Sequence, residues 1–379
     1  MVRTPQHLLC AGPVMRVVVI GGAGNFGARI CTRLALEPRI EVVATSRRAK
    51  STGGSGNIQT VPLDIDSPRF EKKLQSLASD LVIHCAGPFQ EQDYRVALAS
   101  LACGAHYVDI ADGRKFVAGF VAAVGREAEA AGRFTITGAS TLPALSSAVI
   151  DALHTPFAKL NTIDVIIAPA QRAARGAATV AAVLGYAGQS FQWRQDGQWR
   201  TVYGWQELKR ERFSFGSRLA AACDVPDLEL LPTRYAGVQT VTFRAALEVS
   251  LQHYALWALG ACRRMGLPIP MARWGASLDR MGTWLNWLGS DTGGMTVRVT
   301  GKDDAGRSLC RTWELVAEGN HGAEIPCMAA VILANKLQRG DASMRGAKVC
   351  MGILRLSDFE SEFARWNIST RISDSDSWC

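Results

Sequence analysis

A hydrophobic run that leads directly into a glycine-rich turn is the feature that most constrains how this chain folds. The run Val17-Val18-Val19-Ile20 is typical of a buried β-strand, and a helical pattern begins near Asn25. Between them the glycines have the G-x-G-x-x-G spacing, in which Gly22 permits a tight turn, Gly24 a close pyrophosphate and Gly27 close helix packing. The first N–H groups of the helix would stabilise the phosphates. The sequence therefore predicts a dinucleotide site, against the alternative of a glycine-rich turn without a nucleotide, at Gly21, Gly22, Ala23, Gly24, Asn25, Phe26 and Gly27.

The region from residue 15 to about residue 140 alternates short β-branched runs with helical patterns, which is typical of a parallel sheet with crossover helices. Four helices are predicted, at 25–36, 68–78, 93–103 and 114–131. The predicted strands cover 16–20, 40–45, 59–63, 81–84, 106–110 and 133–137. Handedness rules leave few topologies for such a series, and we predict an α/β fold with a Rossmann-like, doubly wound parallel sheet.

The pattern changes after residue 155, and a length of 379 residues suits two domains. The predicted elements are a strand at 162–168, a helix at 176–187, a hairpin turning at Asp196-Gly197, a strand at 238–247, a helical region at 251–288 and hairpin strands at 296–300 and 309–316. This mixture predicts a second, α+β domain. The expected divisions are an N-terminal extension (1–14), a Rossmann domain (15–150), an α+β substrate or dimerisation domain (151–320) with a helical region (249–290), a segment returning to the first domain (321–360) and a tail (361–379), disordered from Ser369.

Composition excludes several classes of protein. The 42 Lys and Arg residues exceed the 34 Asp and Glu residues, but the excess of +8 is spread along the chain, so we expect an acidic small molecule rather than a nucleic acid. Ten cysteines without a C-x-x-C pair suit a reducing cytoplasm. No apolar run approaches the roughly 18 residues of a membrane-spanning helix. The histidines show no metal-ligand spacing, so no metal is expected.

The residues after the second predicted strand bear on the choice of cofactor. An NAD site usually places an acidic residue there to bind the ribose 2′-hydroxyl, whereas this chain has Ser46-Arg47-Arg48. Guanidinium groups can bind a 2′-phosphate, so NADP(H) is preferred over NAD(H), unless the arginines only solvate a strand end. Asp64 lies at the same edge and could contact the adenine or form a plain turn. Ala86-Gly87-Pro88 follows the fourth strand at this ligand-binding edge.

These residues resemble the saccharopine dehydrogenase family, specifically its NADP-binding domain and the wider group of saccharopine dehydrogenase-like oxidoreductases. The resemblance is strong over about residues 15–145, fair over 290–358 and weak between them. It rests on the glycine motif, Ala86-Gly87-Pro88, the stretch from Cys103 to Asp109, Asp112-Gly113, Gly322-Ala323-Glu324-Ile325-Pro326, Gly346-Ala347 and Gly352-Ile353-Leu354. It implies the fold, an NADP cofactor and hydride transfer, but it does not imply saccharopine as the substrate.

Hydride transfer to a carbonyl or imine needs a proton donor near the carboxyl edge of the sheet. The candidates are Tyr107, Asp109, Asp112 and His84. His84 and His106 lie in strand patterns and are more often core histidines, and Asp109 could instead cap the next helix. The candidate substrate-binding residues are Ser140 after the sixth strand, Arg172 and Arg175 for a carboxylate, and His321 if the C-terminal segment packs back on the first domain.

The leading hypothesis is an NADP(H)-dependent oxidoreductase acting on a carbonyl, imine or amino-acid-like small molecule. The alternative is a non-catalytic dinucleotide-binding protein that senses NADP(H) or docks a partner or membrane. A short-chain dehydrogenase is disfavoured because no tyrosine is followed by lysine at the Y-x-x-x-K spacing. The tryptophans and arginines of the region 249–290 suit an interfacial membrane helix or a lid over a lipophilic substrate, but core or homodimer packing is favoured because no one-sided hydrophobic stripe is evident.

Overall fold

The computed structural model describes residues 14–48, 58–173, 184–267, 284–341 and 344–375. The first domain contains β1 (Met15–Ile20), α1 (Asn25–Leu34), β2 (Ile40–Ser46), β3 (Ile58–Pro62), α2 (Phe70–Ser76), β4 (Leu81–His84), α3 (Arg95–Ala102), β5 (His106–Asp109), α4 (Arg114–Ala130) and β6 (Phe134–Thr137). An irregular helical turn (Thr141–Leu145) then leads into α5 (Ser146–His154). Each of the six predicted strands and four predicted helices is confirmed, with ends shifted by at most two residues.

The remaining elements are β7 (Lys159–Ala168), β8 (Ser190–Gln195), β9 (Gln198–Tyr203), β10 (Lys209–Phe213), β11 (Gly216–Ala222), α6 (Asp227–Arg234), β12 (Thr240–Leu247), α7 (Ser250–Arg264), β13 (Gly293–Lys302), β14 (Ser308–Ala317), α8 (Ile325–Gln338), β15 (Gly346–Val349), α9 (Leu356–Arg365) and β16 (Ile368–Ser375). Short 3₁₀ turns cover Asn286–Leu288 and His321–Glu324.

The first sheet has seven parallel strands in the order β15-β6-β5-β4-β1-β2-β3. This is the doubly wound Rossmann order with one added strand, so the predicted fold class is confirmed. Every residue of β4 is buried, as is every residue of β1 except Arg16, because helices cover both faces of the sheet. The order reverses between β1 and β4, and a crevice for a ligand opens at their carboxyl ends.

The second sheet has nine strands and forms the core of the α+β domain. Its path runs β10-β11-β12-β7-β13-β14-β16, and β8 pairs with both β12 and β9. The two predicted hairpins are confirmed as β8–β9 and β13–β14. Strand β10 folds back across the sheet, since Lys209 contacts Asp164 of β7 and Glu211 contacts Arg298 of β13. The sequence patterns did not predict β10, β11 or α6.

The C-terminal segment connects the two domains. Helix α8 packs on α1, β15 extends the first sheet beside β6, and β16 pairs with β14 at the edge of the second sheet. The prediction of a disordered tail from Ser369 is therefore wrong up to Ser375, because this polar segment forms a strand whose hydrogen bonds are made by β14.

Two predictions lie partly outside the described residues. The helix expected at 176–187 is described only from Leu184, and the helical region expected at 251–288 is described as α7 and, after the gap at 268–283, the short turn at Asn286–Leu288. Among the described residues, no helix is long and apolar enough to cross a membrane.

Candidate functional site

The glycine-rich turn joins β1 to α1 and fits tightly against its neighbours. Gly21 has a φ of +81°, and a Cβ there would lie 2.9 Å from the backbone nitrogen of Ala86. A Cβ on Gly22 would lie 2.9 Å from Ala44 Cα of β2, and one on Gly27 would overlap the carbonyl oxygen of Gly21. Gly21, rather than Gly22 as predicted, therefore supplies the left-handed residue of the turn, whereas Gly22 and Gly27 permit close packing.

The first turn of α1 faces outward from this bend. Gly24 is its N-cap residue and no side chain caps the helix; Ala23 and Gly24 are both exposed. Asn25 and Phe26 are half-buried, and Ala28 donates the first intrahelical hydrogen bond to Gly24 at 2.9 Å. An uncapped helix N-terminus beside a bare glycine bend has the shape and the partial positive charge that a pyrophosphate requires.

The end of β2 lies beside this turn. Gly22 donates a hydrogen bond to Thr45 O at 2.8 Å, and Ser46 is half-buried one residue later. Arg47 and Arg48 are exposed and form no ion pair with any residue in the described ranges. Asp64 accepts a hydrogen bond from the backbone of Asp66 at 3.2 Å, so its carboxylate takes part in a turn.

The loop Ala86-Gly87-Pro88 borders the glycine turn and is held by Gln92, a residue that sequence reasoning missed. The amide nitrogen of Gln92 donates to Ala86 O at 2.7 Å and to Pro88 O at 2.8 Å. Its amide oxygen lies 3.0 Å from His84 Nε2. Gln92 therefore fixes the backbone of the loop that faces the predicted nucleotide.

His84 and Tyr107 are both buried in the first domain. The His84 ring packs edge-on against Phe89 at 5.0 Å, and Tyr107 stacks on Phe120 at 5.9 Å. Burial lowers the pKa of His84 to about 4, so its imidazole is neutral at pH 7. Burial likewise raises the pKa of Tyr107 well above its usual value.

Asp109 is fully buried at the end of β5 and joins that strand to β6. One carboxylate oxygen accepts hydrogen bonds from the Gly138 amide at 2.8 Å, from Thr137 Oγ1 at 2.9 Å and from the Ala111 amide at 3.0 Å. Burial raises the pKa of Asp109 to about 6, and these three hydrogen bonds partly oppose the shift. Its contacts favour a role in shaping the sheet edge.

Asp112 differs from the other proton-donor candidates because solvent reaches it. Its carboxylate accepts a hydrogen bond from Gln90 Nε2 at 3.3 Å. Protein surrounds it closely enough that desolvation raises its pKa, as expected at the floor of a cleft. The facing wall comes from the second domain: Tyr186 lies near enough for a charge interaction with Asp112, and burial followed by that charge raises the pKa of Tyr186, with a smaller contribution from Asp224.

Arg114, two residues after Asp112, binds the same wall. Its guanidinium donates to Asp224 at 3.0 Å, to Glu229 at 3.0 Å and to Gln192 O at 2.7 Å. The loop after β5 is thus anchored to β8, to α6 and to the segment that precedes α6.

The candidate substrate-binding residues do not converge on this cleft. Ser140 is buried just after β6. Arg172 is exposed, and its Nε donates to Asn286 O at 3.2 Å in a distant part of the second domain. His321 Nδ1 lies 2.7 Å from Trp366 O, so its ring is bound to the C-terminal segment. Arg175 lies outside the described residues.

Comparison with known proteins agrees with this arrangement. Residues 17–136 match the family described as "Saccharopine dehydrogenase NADP binding domain". The match covers less than half of the chain and shows that this segment is similar to that NADP-binding domain. This match supports the class of NAD(P)-dependent oxidoreductases. A search of curated proteins gave no significant match.

Solved structures with the same fold cover both domains. Saccharopine dehydrogenase (L-Glu forming) from Saccharomyces cerevisiae is 13% identical, with a TM-score of 0.64 over 95% of this chain and 100% of its own. Homospermidine synthase from Legionella pneumophila, solved with NAD, is 9% identical, with a TM-score of 0.61 over 96% of this chain and 92% of its own. At these identities the likeness concerns the fold of the chain and not its substrate.

Proposed function

We propose that this protein is an NADP(H)-dependent oxidoreductase that transfers hydride to or from a carbonyl, imine or amino-acid-like substrate in the cleft between its domains. The observation that carries the proposal is the bare bend at Gly21, packed against Ala86 and followed by the uncapped first turn of α1. Together they place an uncapped helix N-terminus beside a bend without side chains, and we call this arrangement the glycine cradle. The matched family model, named for NADP binding, covers this cradle.

The arginines at the end of β2 support the preference for NADP(H). Arg47 and Arg48 are exposed and have no acidic partner in the described part of the chain, so their guanidinium groups remain available to an anion. No carboxylate occupies the position after β2 where an acidic residue would bind the ribose 2′-hydroxyl of NAD. A 2′-phosphate would gain charge-assisted hydrogen bonds there.

The cleft residues have distinct expected roles. A bound nicotinamide supplies the hydride chemistry. Gln92 holds the backbone of the loop beneath it, and His84, as a neutral imidazole, orients Gln92. Asp112 is our candidate for holding the proton that the substrate gains or loses, because it is accessible and desolvation raises its pKa toward neutrality.

A fluorescence titration with NADPH and NADH tests the cofactor assignment. We expect the wild type to bind NADPH more tightly than NADH, and Arg47→Ala together with Arg48→Ala to weaken NADPH binding about tenfold or more while changing NADH binding little. Arg126→Ala, an exposed arginine on α4, is the matched control. Equal affinity of the wild type for both cofactors would contradict the NADP(H) preference.

A substrate screen with amino acids, keto acids and lipophilic ketones tests catalysis. With any substrate that is turned over, Asp112→Asn is expected to lower kcat about 10²-fold or more and to remove the ionisation of Asp112 from the pH profile, while NADPH affinity is retained. An unchanged pH profile would exclude Asp112 as the proton-holding group. Binding of NADPH without oxidation of it by any compound would favour a non-catalytic dinucleotide-binding protein.

A further inference from the structure

Helix α7 is apolar on both of its faces. Its inner face packs on the second sheet through His253, Leu256 and Gly260, and the His253 ring lies edge-on to Trp205 at 5.4 Å. The outer face carries Leu251, Tyr254, Ala255 and Ala258, at the i, i+3, i+4 and i+7 spacing of one helix surface, and each of these residues is exposed, as is Met265 just after the helix. A helix that is apolar all round is normally covered on both sides.

A second exposed apolar segment lies near the start of this helix. Trp284 is 82% exposed and Trp287 74% exposed, compared with 69% for Leu251 on α7 and 73% for Met265 just after it. Glu248, just before α7, accepts hydrogen bonds from the backbone amide of Ser290 at 3.0 Å and from that of Gln171 at 2.9 Å. The segment after Trp287 is thereby tied to the N-terminal end of α7.

The exposed apolar residues of the chain are concentrated here. Of the fifteen large hydrophobic side chains that are exposed among the described residues, eight lie between Leu251 and Leu288. Isolated exposed apolar residues are normal, whereas a concentration of this kind marks an interaction surface. We define this apolar surface by Leu251, Tyr254, Trp257, Met265, Leu267, Trp284, Trp287 and Leu288.

The charged side chains within the stretches that form the apolar surface are all basic. The stretches 250–267 and 284–290 contain no Asp or Glu. Arg264 is exposed at the end of α7 over the ring of Tyr203, and Arg172 is exposed beside the turn at Asn286–Leu288. Of the acids that flank these stretches, Glu248 pairs with Arg218 at 3.0 Å and Asp291 is half-buried.

From these observations we propose that the apolar surface docks on the headgroup region of an anionic lipid bilayer. Tryptophan, tyrosine and leucine with arginines at the margin are typical of proteins that lie in a membrane interface. A second copy of this chain would present the same acid-free, arginine-bordered surface and would bring like charges together, whereas anionic headgroups complement it. The inner face of α7 is buried, as the expectation of core packing for the region 249–290 requires. The outer face is exposed among the described residues, which that expectation does not explain.

Co-sedimentation of the full chain with lipid vesicles tests the proposal. We expect binding to vesicles of phosphatidylcholine and phosphatidylglycerol in equal parts, weaker binding to phosphatidylcholine alone, and loss of binding as salt is raised. Leu251→Glu and Trp287→Glu are each expected to reduce binding about tenfold or more, and Trp287→Ala to reduce it less. Val121→Glu, which puts the same charge on an exposed apolar position of α4, is the control and is expected to bind as the wild type does.

Three outcomes would overturn the proposal. The first is that the wild type does not bind anionic vesicles, and the second is that Leu251→Glu and Trp287→Glu leave its binding unchanged. The third is that the wild type self-associates in gel filtration, that these variants abolish the self-association, and that the protein does not bind vesicles. NADPH affinity, measured on every variant, shows that the first domain is intact and keeps this test separate from the test of the proposed oxidoreductase activity.

Discussion

At the scale of single residues, burial decides which ionisable groups can meet a ligand. His84, Tyr107 and Asp109 have the chemical groups that proton transfer needs, yet all three are buried within the first domain. Asp112 lies only three residues beyond Asp109 in the sequence, but it is on the loop and exposed to the cleft. One aspartate, Asp109, therefore holds the edge of the sheet together, whereas the other, Asp112, faces the boundary between the domains.

Asp227 supplies a prediction about pH and stability. It is 1% exposed at the start of α6, and burial raises its pKa to about 7, a shift that the Ser146 hydroxyl opposes. The unfolded chain has an aspartate pKa of about 3.9, so the folded protein binds more protons between these values. The contribution of Asp227 to stability is therefore fully present below about pH 4 and is lost as the pH rises to about 7.

We accordingly expect Asp227→Asn to raise the melting temperature at pH 8 by several degrees and to change it little at pH 4. Thermal unfolding of variant and wild type across this range provides the measurement, and taking their difference removes the contribution of other titrating groups. Asp304→Asn, on an exposed loop, controls for the loss of a charge. A stabilisation that does not vary with pH would contradict the assignment.

At the scale of elements, the sequence predicted best those whose pattern is local. Strands β1 and β4 are continuous apolar runs, and their limits were predicted to within one residue. Strand β15 has only four residues, one of them glycine, and it becomes a strand because β6, more than two hundred residues earlier, offers an edge to pair with. Strand β16 is polar and carries no local strand pattern. It too becomes a strand because it pairs along a distant edge, that of β14.

The residues of the candidate site also differ in how well the sequence predicted them, according to whether their signal is local. The glycine cradle could be predicted because its residues are consecutive and each has a steric reason to be glycine. Gln92 and Tyr186 could not, because an amide that clamps a loop and a phenol that arrives from the other domain carry no local signal. The substrate residues Ser140, Arg172 and His321 were inferred from sequence position alone, and tertiary packing separates them.

The ion pair between Arg33 and Glu362 leads to a prediction about stability at the scale of elements. It joins α1 to α9, both side chains are buried, and the two hydrogen bonds measure 3.1 Å from Nε and 2.5 Å from Nη2. Because removing one partner leaves a buried uncompensated charge, we expect Glu362→Gln to cost about 3–5 kcal/mol of unfolding free energy. Urea denaturation measures this cost. Glu360→Gln, exposed on the same helix, is expected to cost less than about 0.5 kcal/mol, and equal effects would argue against the pair.

At the scale of the whole molecule, α6 is the element through which the two domains touch near the cleft. Arg114 of α4 binds Glu229 of α6 and Asp224 just before it, and Arg234 at the end of α6 binds Asp151 of α5 at 2.6 Å. The C-terminal segment provides a further connection, since it contributes strands to both sheets. The two domains are therefore joined by contacts that are distant from one another in the sequence.

Arg114 permits the last prediction. Its side chain is mostly buried and serves three acceptors, so Arg114→Ala leaves Asp224 without its cation and frees α6 from the loop that carries Asp112. We expect faster hydrogen exchange in peptides covering 227–234, with NADPH affinity within about twofold of the wild type because the glycine cradle is not part of this contact. Arg114→Lys should give an intermediate rate, since an ammonium group cannot span the three acceptors as a guanidinium does. Arg126→Ala, elsewhere on α4, should leave the exchange of α6 unchanged. If Arg114→Ala also left it unchanged, α6 would be held by its other contacts, such as that of Arg234 with Asp151, and the cleft wall would not depend on this arginine.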